Sequence, residues 1–302
     1  MKEVYKRIQS MISEDRIFTN EPLKEHTYFK IGGPVNILIK VNSIDEIKKV
    51  IQLCKDENVK YYVIGNGTNI LVPDEGLEAV IIKIAEDFSA YRIQGDKVHV
   101  QSGMLLSTLS KKIAKASLAG FEFASGIPGT VGGAIYMNAG AYGGEMKDIV
   151  EYAKVLDHKG KIRKIMNKDL ALGYRKSIVS EKSYVVLSVC FRLQKGNSET
   201  IMEKIKILDE KRISKQPINL PSAGSAFKRP EGYYAGKLID DAGLRGFRFR
   251  DAQVSDKHCG FVVNRGNATC KDILQLIEMV KKIVSDQFNV TLEREVRILG
   301  RD

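Results

Sequence analysis

The sequence lacks the features that mark membrane-spanning, secreted and metal-binding proteins. No run approaches the roughly 18 consecutive apolar residues of a membrane span, and the opening residues, MKEVYKRIQS, lack the apolar centre of a signal peptide. Its four cysteines are widely scattered, with no C-x-x-C pair and no matching histidine cluster: Cys54, Cys190, Cys259 and Cys270. These absences predict a cytoplasmic protein with reduced structural thiols and no metal site.

Biased composition is absent as well. There is no low-complexity tract and no internal repeat, and the 43% hydrophobic and 28% charged content is that of an ordinary globular protein. The 302 residues allow two or three domains, taking roughly 100 to 200 residues for each. A net charge of +11 would attract nucleic acid, acidic lipid or a phosphate-bearing small molecule. Because the basic residues are spread along the chain, a solvated surface is the plainest explanation for most of them.

The first third of the sequence alternates strand and helix patterns. An apolar stretch over residues 35–41 predicts a strand, and Ser43 with Glu46 forms a capping-box pattern ahead of a helix. The helix itself is predicted from apolar residues at helical spacing: Ile44, Ile47, Val50, Ile51 and Cys54. Apolar runs at residues 61–64 and 79–84 predict strands on either side of a glycine-rich turn. The whole is βαβ-like, with the turn at a strand end.

The remaining two thirds contain fewer, more separated patterns. A short strand from about Lys97 precedes a helix over roughly residues 105–117, and strands are predicted at 149–156 and 184–193. A helical pattern at 199–213 leads into a Gly/Pro/Ser-rich stretch, 217–236, which we interpret as the entry to a separate C-terminal domain. That domain would close with a helix over 271–288, whose start at Thr269 resembles a capping box, and a strand near 296–299.

Two glycine-rich segments are candidate ligand sites. The first is Gly65-Asn66-Gly67-Thr68-Asn69, which alone is more typical of a tight turn and does not match G-x-G-x-x-G, because position 70 is isoleucine. The second is GIPGTVGGA at 126–134, within a stretch of residues 120–144 that holds eight of the 26 glycines and suggests ordered backbone. Alone, it leaves ligand binding and unusual packing equally open. Two such segments in one chain favour a dinucleotide, whose phosphates backbone N–H groups could bind.

A third segment, residues 221–230, places Ser225 between a glycine and an aromatic residue, next to two cations. No G-x-S-x-G elbow is present, and His26 and His258 are not at a recognisable hydrolase spacing. Hydrolase chemistry is therefore disfavoured. Spacing alone favours an exposed turn serine.

Six segments, taken in order, resemble the UDP-N-acetylenolpyruvoylglucosamine reductases (UDP-N-acetylmuramate dehydrogenases) of bacterial cell-wall precursor synthesis. They are HTYFKIGG at 26–33, GNGTN at 65–69, GIPGTVGGA at 126–134 with NAGAYG at 138–143, YRKS at 174–177, GSAFK at 224–228, and LEREVR at 292–297. Each is weak alone, but their joint order is specific. The short spacing ahead of Ser225 resembles the compact subtype of the family.

The resemblance implies an α+β fold: a two-domain FAD-binding module of the vanillyl-alcohol-oxidase/PCMH-like type and a C-terminal α+β substrate domain. We place the FAD-binding subdomains at residues 1–84 and 85–198, and the substrate domain at 199–302. It also implies non-covalent FAD, NADPH as co-substrate and an enolpyruvyl UDP sugar as substrate. The implied cofactor-binding residues are Gly65, Asn66, Gly67, Thr68, Asn69, Gly126, Pro128, Gly129, Thr130, Gly132, Gly133, Asn138 and Gly140.

The resemblance also implies three catalytic residues. Arg175 matches the arginine that holds the substrate carboxylate, Glu295 matches the acid that polarises or protonates the same group, and Ser225 matches the proton donor. A serine hydroxyl is a weak acid, so this role requires fixed geometry and nearby positive charge. Lys228 and Arg229 are candidates to supply that charge.

Lys215, Lys228 and Arg229 are the expected substrate-binding residues, with Lys215 aligned less securely. Arg229 stands where some family members have asparagine, so the residues that contact uridine cannot be transferred, and the roles of Arg248 and Arg250 stay open. The rival interpretations are an FAD oxidase of the same fold, which would often attach flavin through a His or Cys that neither glycine segment contains, and a basic nucleic-acid-binding protein, for which no module is present. We expect no nucleic-acid or membrane partner, and the sequence does not indicate an oligomeric state.

Overall fold

The structure, a computed structural model, describes residues 1–301. Its helices are α1 Lys2–Gln9, α2 Ile44–Asp56, α3 Leu106–Lys115, α4 Val131–Met137, α5 Ile178–Glu181, α6 Ser198–Lys215, α7 Ala235–Asp241 and α8 Cys270–Phe288. Its strands are β1 Ile17–Pro22, β2 Pro34–Lys40, β3 Tyr61–Ile64, β4 Ile70–Leu71, β5 Leu77–Lys83, β6 Tyr91–Gln94, β7 Lys97–Gln101, β8 Leu118–Ala119, β9 Gly140–Ala141, β10 Gly144–Glu145, β11 Val150–Leu156, β12 Ile162–Met166, β13 Val185–Arg192, β14 Gln194–Lys195, β15 Ser222–Ser225, β16 Arg248–Phe249, β17 Ala252–Val254, β18 Phe261–Asn264 and β19 Arg297–Ile298.

The chain forms two compact units, each assembled from three separate segments. The first unit comprises Met1–Phe18, Ile37–Asn66 and Ala79–Arg212. The second comprises Thr19–Asn36, Gly67–Glu78 and the C-terminal segment from Ile213 onward. The predicted division into domains at residues 84 and 198 stays a prediction.

Helix α2 illustrates how local sequence sets the N-terminal part of the first unit. The Ser43 hydroxyl accepts a hydrogen bond from the Glu46 N–H (3.2 Å) and caps the helix. Glu46 does not complete the predicted capping box, because its carboxylate accepts instead from the Asn42 N–H and from Arg16. The buried face of α2 packs with α1 and with strands of a sheet ordered β1-β2-β5-β3, in which β3 and β5 are parallel.

A five-stranded antiparallel sheet, ordered β12-β11-β13-β7-β6, forms the other layer of the first unit. Apolar residues from one face of this sheet join apolar residues of α3 and α4 in one core. Residues alternate between the two faces of a strand, so the cross-strand row His99, Cys190 and Tyr152 lies on the opposite face. The core thereby fixes the position of α4, which carries the second glycine-rich segment.

The second unit is built on a four-stranded antiparallel sheet, ordered β15-β18-β17-β16, with α8 packed against it. Thr269 and Asp272 form a complete capping box at the start of α8, as predicted. The Asp74 carboxylate adds acceptors for the N–H groups of Cys270 (2.8 Å) and Lys271 (3.3 Å) at the same helix end. Strand β19 pairs in parallel with the early strand β4.

Two further properties of the described chain bear on function. No helix within residues 1–301 is both long and apolar enough to cross a membrane. Over the same residues, no group of three or more His, Cys, Asp or Glu side chains is arranged to hold a metal ion.

Candidate functional site

The two glycine-rich segments meet inside the first unit. Asn66, which follows β3, donates from Nδ2 to the Pro128 carbonyl oxygen (2.8 Å), 62 residues away. Gly65 lies so close to the second segment that a Cβ added there would be 2.4 Å from Thr130 Oγ1. A side chain at position 65 would therefore force the segments apart, and glycine permits their close approach.

The second glycine-rich segment leads directly into α4. Thr130 is the N-cap, and its hydroxyl accepts from the Gly133 N–H (3.4 Å). The Gly132 N–H donates to the Ser102 carbonyl oxygen (2.8 Å), and a Cβ at Gly132 would lie 2.9 Å from Ser102 Cβ. Gly132 is thus required by packing. Gly133 is exposed, and the nearest atom to a Cβ there would be Thr130 Oγ1 at 3.6 Å.

The backbone of this segment retains hydrogen-bonding capacity suited to an anion. Gly129 and Thr130 are buried, yet their N–H groups donate to no acceptor among residues 1–301. A buried N–H without an acceptor is costly, so such groups favour a ligand that supplies one. A diphosphate supplies several acceptor oxygens and would need no lysine in the segment. The residues present therefore fit the dinucleotide that the resemblance implies.

Gly126 is bordered by two charged residues that the sequence analysis did not identify. A Cβ at Gly126 would lie 2.7 Å from Arg212 Cδ and 3.3 Å from Asp209 Oδ1. Asp209 also accepts a hydrogen bond from the Ser125 hydroxyl (2.8 Å). Both charged residues lie on α6, at a sequence distance that no local pattern could reveal.

The second half of the first glycine segment belongs to the second unit. Gly67 has φ of +65°, its carbonyl accepts from the Tyr28 N–H (3.0 Å), and a Cβ there would lie 2.1 Å from the His26 carbonyl oxygen. Asn69 donates from Nδ2 to the Glu295 carbonyl oxygen (3.3 Å), and its own carbonyl accepts from the Arg297 N–H (3.1 Å). Asn69, expected at the cofactor, thus also holds the backbone of a predicted catalytic residue.

Ser225 and Glu295 come together in the second unit. Ser225 ends β15 next to Gly224, whose φ is +77°, and pairs with Phe261 of β18. The Glu295 N–H donates to the carbonyl oxygen of Ala226 (2.8 Å), the residue after Ser225. Both residues are half-buried. The structure therefore places two of the three predicted catalytic residues on adjacent, hydrogen-bonded backbone.

Arg175, in the first unit, occupies a four-residue turn from Gly173 to Lys176. The N–H of each end residue donates to the carbonyl oxygen of the other, over 3.0 and 3.2 Å. Arg175 has φ of +54°, and its guanidinium carbon lies 5.2 Å from the centre of the Tyr174 ring. Because positive φ at the third position is typical of a tight β-turn, the turn presents Arg175 at its tip.

The cations next to Ser225 are already engaged within the second unit. Lys228 forms an ion pair with Glu293 (2.8 Å), and this hydrogen bond lowers the pKa of the Glu293 carboxyl. Arg229 donates to the Tyr233 carbonyl oxygen (3.3 Å) and lies 4.0 Å from the centre of the Tyr234 ring. Lys215 is exposed at the end of α6. Glu293 offsets part of the positive charge that Lys228 would provide.

Family models and curated relatives both match this chain. The FAD binding domain model matches residues 35–166, and the model of the UDP-N-acetylenolpyruvoylglucosamine reductase C-terminal domain matches residues 216–299. A UDP-N-acetylenolpyruvoylglucosamine reductase from Alkaliphilus oremlandii is 52% identical over 300 residues, covering 99% of both chains. Another, from Clostridioides difficile, is 50% identical over 301 residues, covering 100% of this chain and 99% of the relative. The chain belongs to the UDP-N-acetylenolpyruvoylglucosamine reductase family.

Solved structures agree with this reductase family and with the expected fold. The crystal structure of UDP-N-acetylenolpyruvylglucosamine reductase from Thermus caldophilus has a TM-score of 0.79 and 37% identity, covering 92% of this chain and 97% of that chain. An alkyldihydroxyacetonephosphate synthase has a TM-score of 0.51 at 14% identity, covering 65% of this chain and 42% of that chain, which shows a shared fold alone. The α+β fold with an FAD-binding module and a C-terminal domain is therefore confirmed.

The two arginines of uncertain role have acidic neighbours. Arg248 lies 3.3 Å from Asp251, and Arg250 lies 3.5 Å from Asp272, the buried acid of the α8 capping box. Arg250 also has φ of +53°. Both arginines thus make ion-pair contacts within the C-terminal part of the chain.

Proposed function

We propose that this chain reduces the enolpyruvyl double bond of UDP-N-acetylglucosamine enolpyruvate to give UDP-N-acetylmuramate, with NADPH as reductant, in peptidoglycan precursor synthesis. Similarity to the reductases over 99% of the chain is the observation that carries this proposal. FAD, when bound, would supply the hydride chemistry that couples NADPH oxidation to reduction of the terminal carbon of the enolpyruvyl group. The exposed Gly133 and the unpaired N–H groups of Gly129 and Thr130 would bind its phosphates.

Arg175 and Glu295 would act on the negative charge that develops during reduction. Hydride addition at the terminal carbon leaves negative charge on the carbon beside the carboxylate, delocalised into an enolate-like group. The planar guanidinium of Arg175 can bind that carboxylate through two parallel hydrogen bonds and stabilise the charge as it forms. Glu295 would polarise or protonate the same group. A group that interacts more strongly with the transition state than with the substrate raises kcat.

Ser225 would complete the reaction by donating its hydroxyl proton to the carbon beside the carboxylate. The product then carries one added hydride and one added proton, and the serine recovers its proton from solvent. The Gly224 turn and the neighbouring Glu295 backbone bond hold the backbone that carries the hydroxyl. Glu293 offsets part of the charge of Lys228. We therefore assign more of the electrostatic assistance to proton donation to Arg175, which would bind the substrate carboxylate, than to Lys228.

We place Lys215, Lys228 and Arg229 at the UDP moiety, whose diphosphate suits cationic side chains. We also place the reaction in the cytoplasm. All four cysteines are free thiols, which is expected in a reducing compartment. UDP sugar and NADPH are the small-molecule partners, and we propose no nucleic-acid partner.

An activity assay tests the proposal directly. Purified protein loaded with FAD should oxidise NADPH when the enolpyruvyl UDP sugar is added, with one UDP-N-acetylmuramate formed per NADPH consumed. UDP-N-acetylglucosamine, which lacks the double bond, is the matched control substrate and should give no turnover. Absence of product with the enolpyruvyl sugar would overturn the proposal. Oxidation of a small alcohol with oxygen as acceptor would instead favour the oxidase alternative.

A further inference from the structure

Asn138 joins the end of α4 to the turn that carries Arg175. We propose that Asn138 is a positioning residue, which fixes the Arg175 turn relative to the flavin-binding segment and does not itself bind the flavin through its side chain. The inference rests on the proposed function, because Arg175 matters for rate only if the substrate carries the carboxylate that it holds.

The side-chain amide of Asn138 makes three hydrogen bonds inside the first unit. Its Nδ2 donates to Glu145 Oε2 (2.8 Å) and to the Gly173 carbonyl oxygen (3.1 Å), and its Oδ1 accepts from the Lys147 N–H (2.9 Å). The orientation of the amide is fixed by chemistry, since a carboxylate and a carbonyl accept only and a backbone N–H donates only. The side chain is also buried, with 1% exposure. It has no donor hydrogen left for a cofactor.

The backbone of Asn138 requires the same residue type for a second reason. It is the C-cap of α4 with φ of +46°, a left-handed conformation that asparagine and glycine tolerate better than other residues. Glycine could adopt this backbone but would lack all three side-chain hydrogen bonds. Asparagine alone satisfies both the backbone and the connection to Gly173.

A second hydrogen bond anchors the other side of the Arg175 turn. The buried Ser177 hydroxyl donates to the Tyr136 carbonyl oxygen (2.7 Å), so residues on both sides of the turn are tied to the last residues of α4. Arg175 lies between these anchors, at the tip of a turn closed by two backbone bonds. The Asn138–Gly173 bond is therefore one of the two hydrogen bonds that hold the backbone from which the Arg175 guanidinium extends.

This arrangement predicts a specific defect when the Gly173 anchor is lost. A misplacement of about 1 Å in a catalytic group can cost about 10²-fold in rate. In the FAD-loaded Asn138→Gly variant we expect kcat for the enolpyruvyl sugar to fall about 10- to 100-fold, with little change in the rate of flavin reduction by NADPH. Asn289→Gly is the matched control, because Asn289 is the exposed left-handed C-cap of α8, with φ of +53°. It should retain normal kcat.

Hydrogen exchange gives a readout that does not depend on activity. Amide exchange in peptides covering residues 170–178 should accelerate in Asn138→Gly and remain unchanged in Asn289→Gly. Exchange in α3 should be unaffected, which would separate loosening of the turn from general destabilisation. Unchanged exchange at 170–178 together with unchanged kcat would overturn the inference.

A second variant covers the possibility that Asn138→Gly folds poorly. Asn138→Asp combined with Glu145→Gln reverses the donor and acceptor of the 138–145 hydrogen bond, but it leaves the Gly173 carbonyl facing a carboxylate oxygen. Because two acceptor oxygens then face each other, kcat should stay low even where the reversed 138–145 bond restores part of the thermal stability. Recovery of kcat together with stability would show that the Gly173 bond has no positioning role, and would overturn the inference.

A double-mutant cycle with Arg175 tests whether Asn138→Gly lowers kcat through Arg175. If Asn138 acts through Arg175, Asn138→Gly should change kcat by less than about twofold in an Arg175→Ala background, because residues in one network are not additive. An undiminished loss in that background would contradict the inference. A wild-type protein inactive on the enolpyruvyl sugar would overturn the proposed function and the inference with it, whereas an active wild type with a fully active Asn138→Gly variant would overturn the inference alone.

Discussion

Positive φ angles occur at one residue assigned to chemistry and beside another. Arg175 has φ of +54°, and Gly224, beside Ser225, has φ of +77°. For a residue with a Cβ, the left-handed conformation costs about 1–2 kcal/mol and persists only where the surroundings hold it. The hydrogen bonds from Asn138 and Ser177 on either side of the Arg175 turn are such surroundings. The Arg175 side chain is therefore presented by a backbone already fixed in its unusual conformation.

Replacing Ser225 by alanine should separate the two halves of the reaction. Flavin reduction by NADPH needs no proton from this hydroxyl, so its rate should stay near normal. Flavin reoxidation by the enolpyruvyl sugar should slow by roughly 10²- to 10⁴-fold, as expected for loss of a general acid. Anaerobic stopped-flow absorbance of the flavin measures both rates.

The outcome for Ser225 also distinguishes chemistry from support of the Gly224 turn. Ser225→Cys, which keeps a transferable proton, should recover part of the reoxidation rate. Equal losses in both half-reactions, with lower thermal stability, would assign Ser225 to the turn and remove it as the proton donor.

Arg175→Ala and Glu295→Ala should each lower kcat far more than they raise KM for the UDP sugar. Both residues should interact mainly with charge that appears during reduction, so their loss removes transition-state stabilisation. Arg175→Lys should restore little, because an ammonium cannot form the two parallel hydrogen bonds of a guanidinium. Steady-state kinetics decide, and an alanine variant with normal kcat would exclude that residue from the mechanism.

At the scale of elements, α4 contains adjacent glycines with different surroundings. Gly132→Ala places a Cβ 2.9 Å from Ser102 Cβ and should destabilise the protein by about 1–3 kcal/mol, as overpacking does. The Cβ of Gly133→Ala makes only an ordinary contact, 3.6 Å from Thr130 Oγ1, so the substitution should leave stability unchanged or raise it by up to about 1 kcal/mol, since alanine favours helix. Thermal or denaturant unfolding of the FAD-free protein measures both changes.

FAD affinity should fall more in Gly133→Ala than in Gly132→Ala, which is the reverse of the order expected for loss of stability. If the exposed Gly133 binds the phosphates as we propose, Gly133→Ala should weaken FAD binding, measured by fluorescence titration, without loss of stability. If Gly133→Ala bound FAD normally, the segment would be glycine-rich for packing alone. Comparison of the two variants therefore tests ligand binding against packing, the two interpretations that the sequence leaves equally open.

Asp157 links the β11–β12 hairpin to pH. The Arg163 guanidinium, with the N–H groups of Lys161 and Lys159, lowers the Asp157 pKa from 3.8 to about 2. A carboxyl whose pKa is lowered by folding stabilises the protein fully above its unfolded pKa. This contribution is lost as pH falls from about 4 to about 2.

Asp157→Asn should therefore lower Tm at pH 7, and its difference from wild type should shrink as pH approaches 2. Asp286→Asn, at an exposed pair with Lys282, is the control and should change Tm little at any pH. Scanning calorimetry across this range would detect the trend. A Tm difference that did not change with pH would contradict the assigned cause.

The secondary structure was predictable where one side of an element is apolar. Helices α2 and α8 begin and end within one or two residues of their predicted bounds, because apolar spacing and caps coincide. Strand β12 escaped prediction, since four of its five residues are exposed and no alternating apolar pattern marks it. Helix α4 also escaped, because its two glycines are poor helix formers and it is fixed by the Thr130 cap and by packing.

The candidate site was predictable as motifs but not as contacts. The resemblance supplied Ser225, Arg175 and Glu295 as residues to test. Nothing in the sequence indicates that Asn66 bonds to Pro128, 62 residues away, or Asn138 to Gly173, 35 residues away. Such bonds depend on how sheets and helices pack, and local patterns do not carry that information. The Asn138 bonds are the basis on which we propose that Asn138 positions the Arg175 turn.

At the scale of the whole molecule, flavin binding should be reversible and stabilising. Neither glycine segment contains a His or Cys that could attach flavin covalently. Purified protein should be yellow, and denaturation should release all of the FAD. Added FAD at 100 times its Kd should stabilise the folded state by about 2.7 kcal/mol through mass action. Colour retained by precipitated protein, or a Tm independent of FAD, would contradict this prediction.

The second unit joins early and late parts of the chain, and this sets an order of events during translation. Asp74 caps α8 through the N–H of Cys270, and β4 at Ile70–Leu71 pairs with β19 at Arg297–Ile298. A ribosome adds about 5–20 residues per second, so these early segments would wait about 10–40 s for partners roughly 200 residues downstream. The nascent chain therefore exposes an unpaired strand throughout that interval. Slow or paused synthesis near the end of the message would lengthen the period in which this strand stays unpaired.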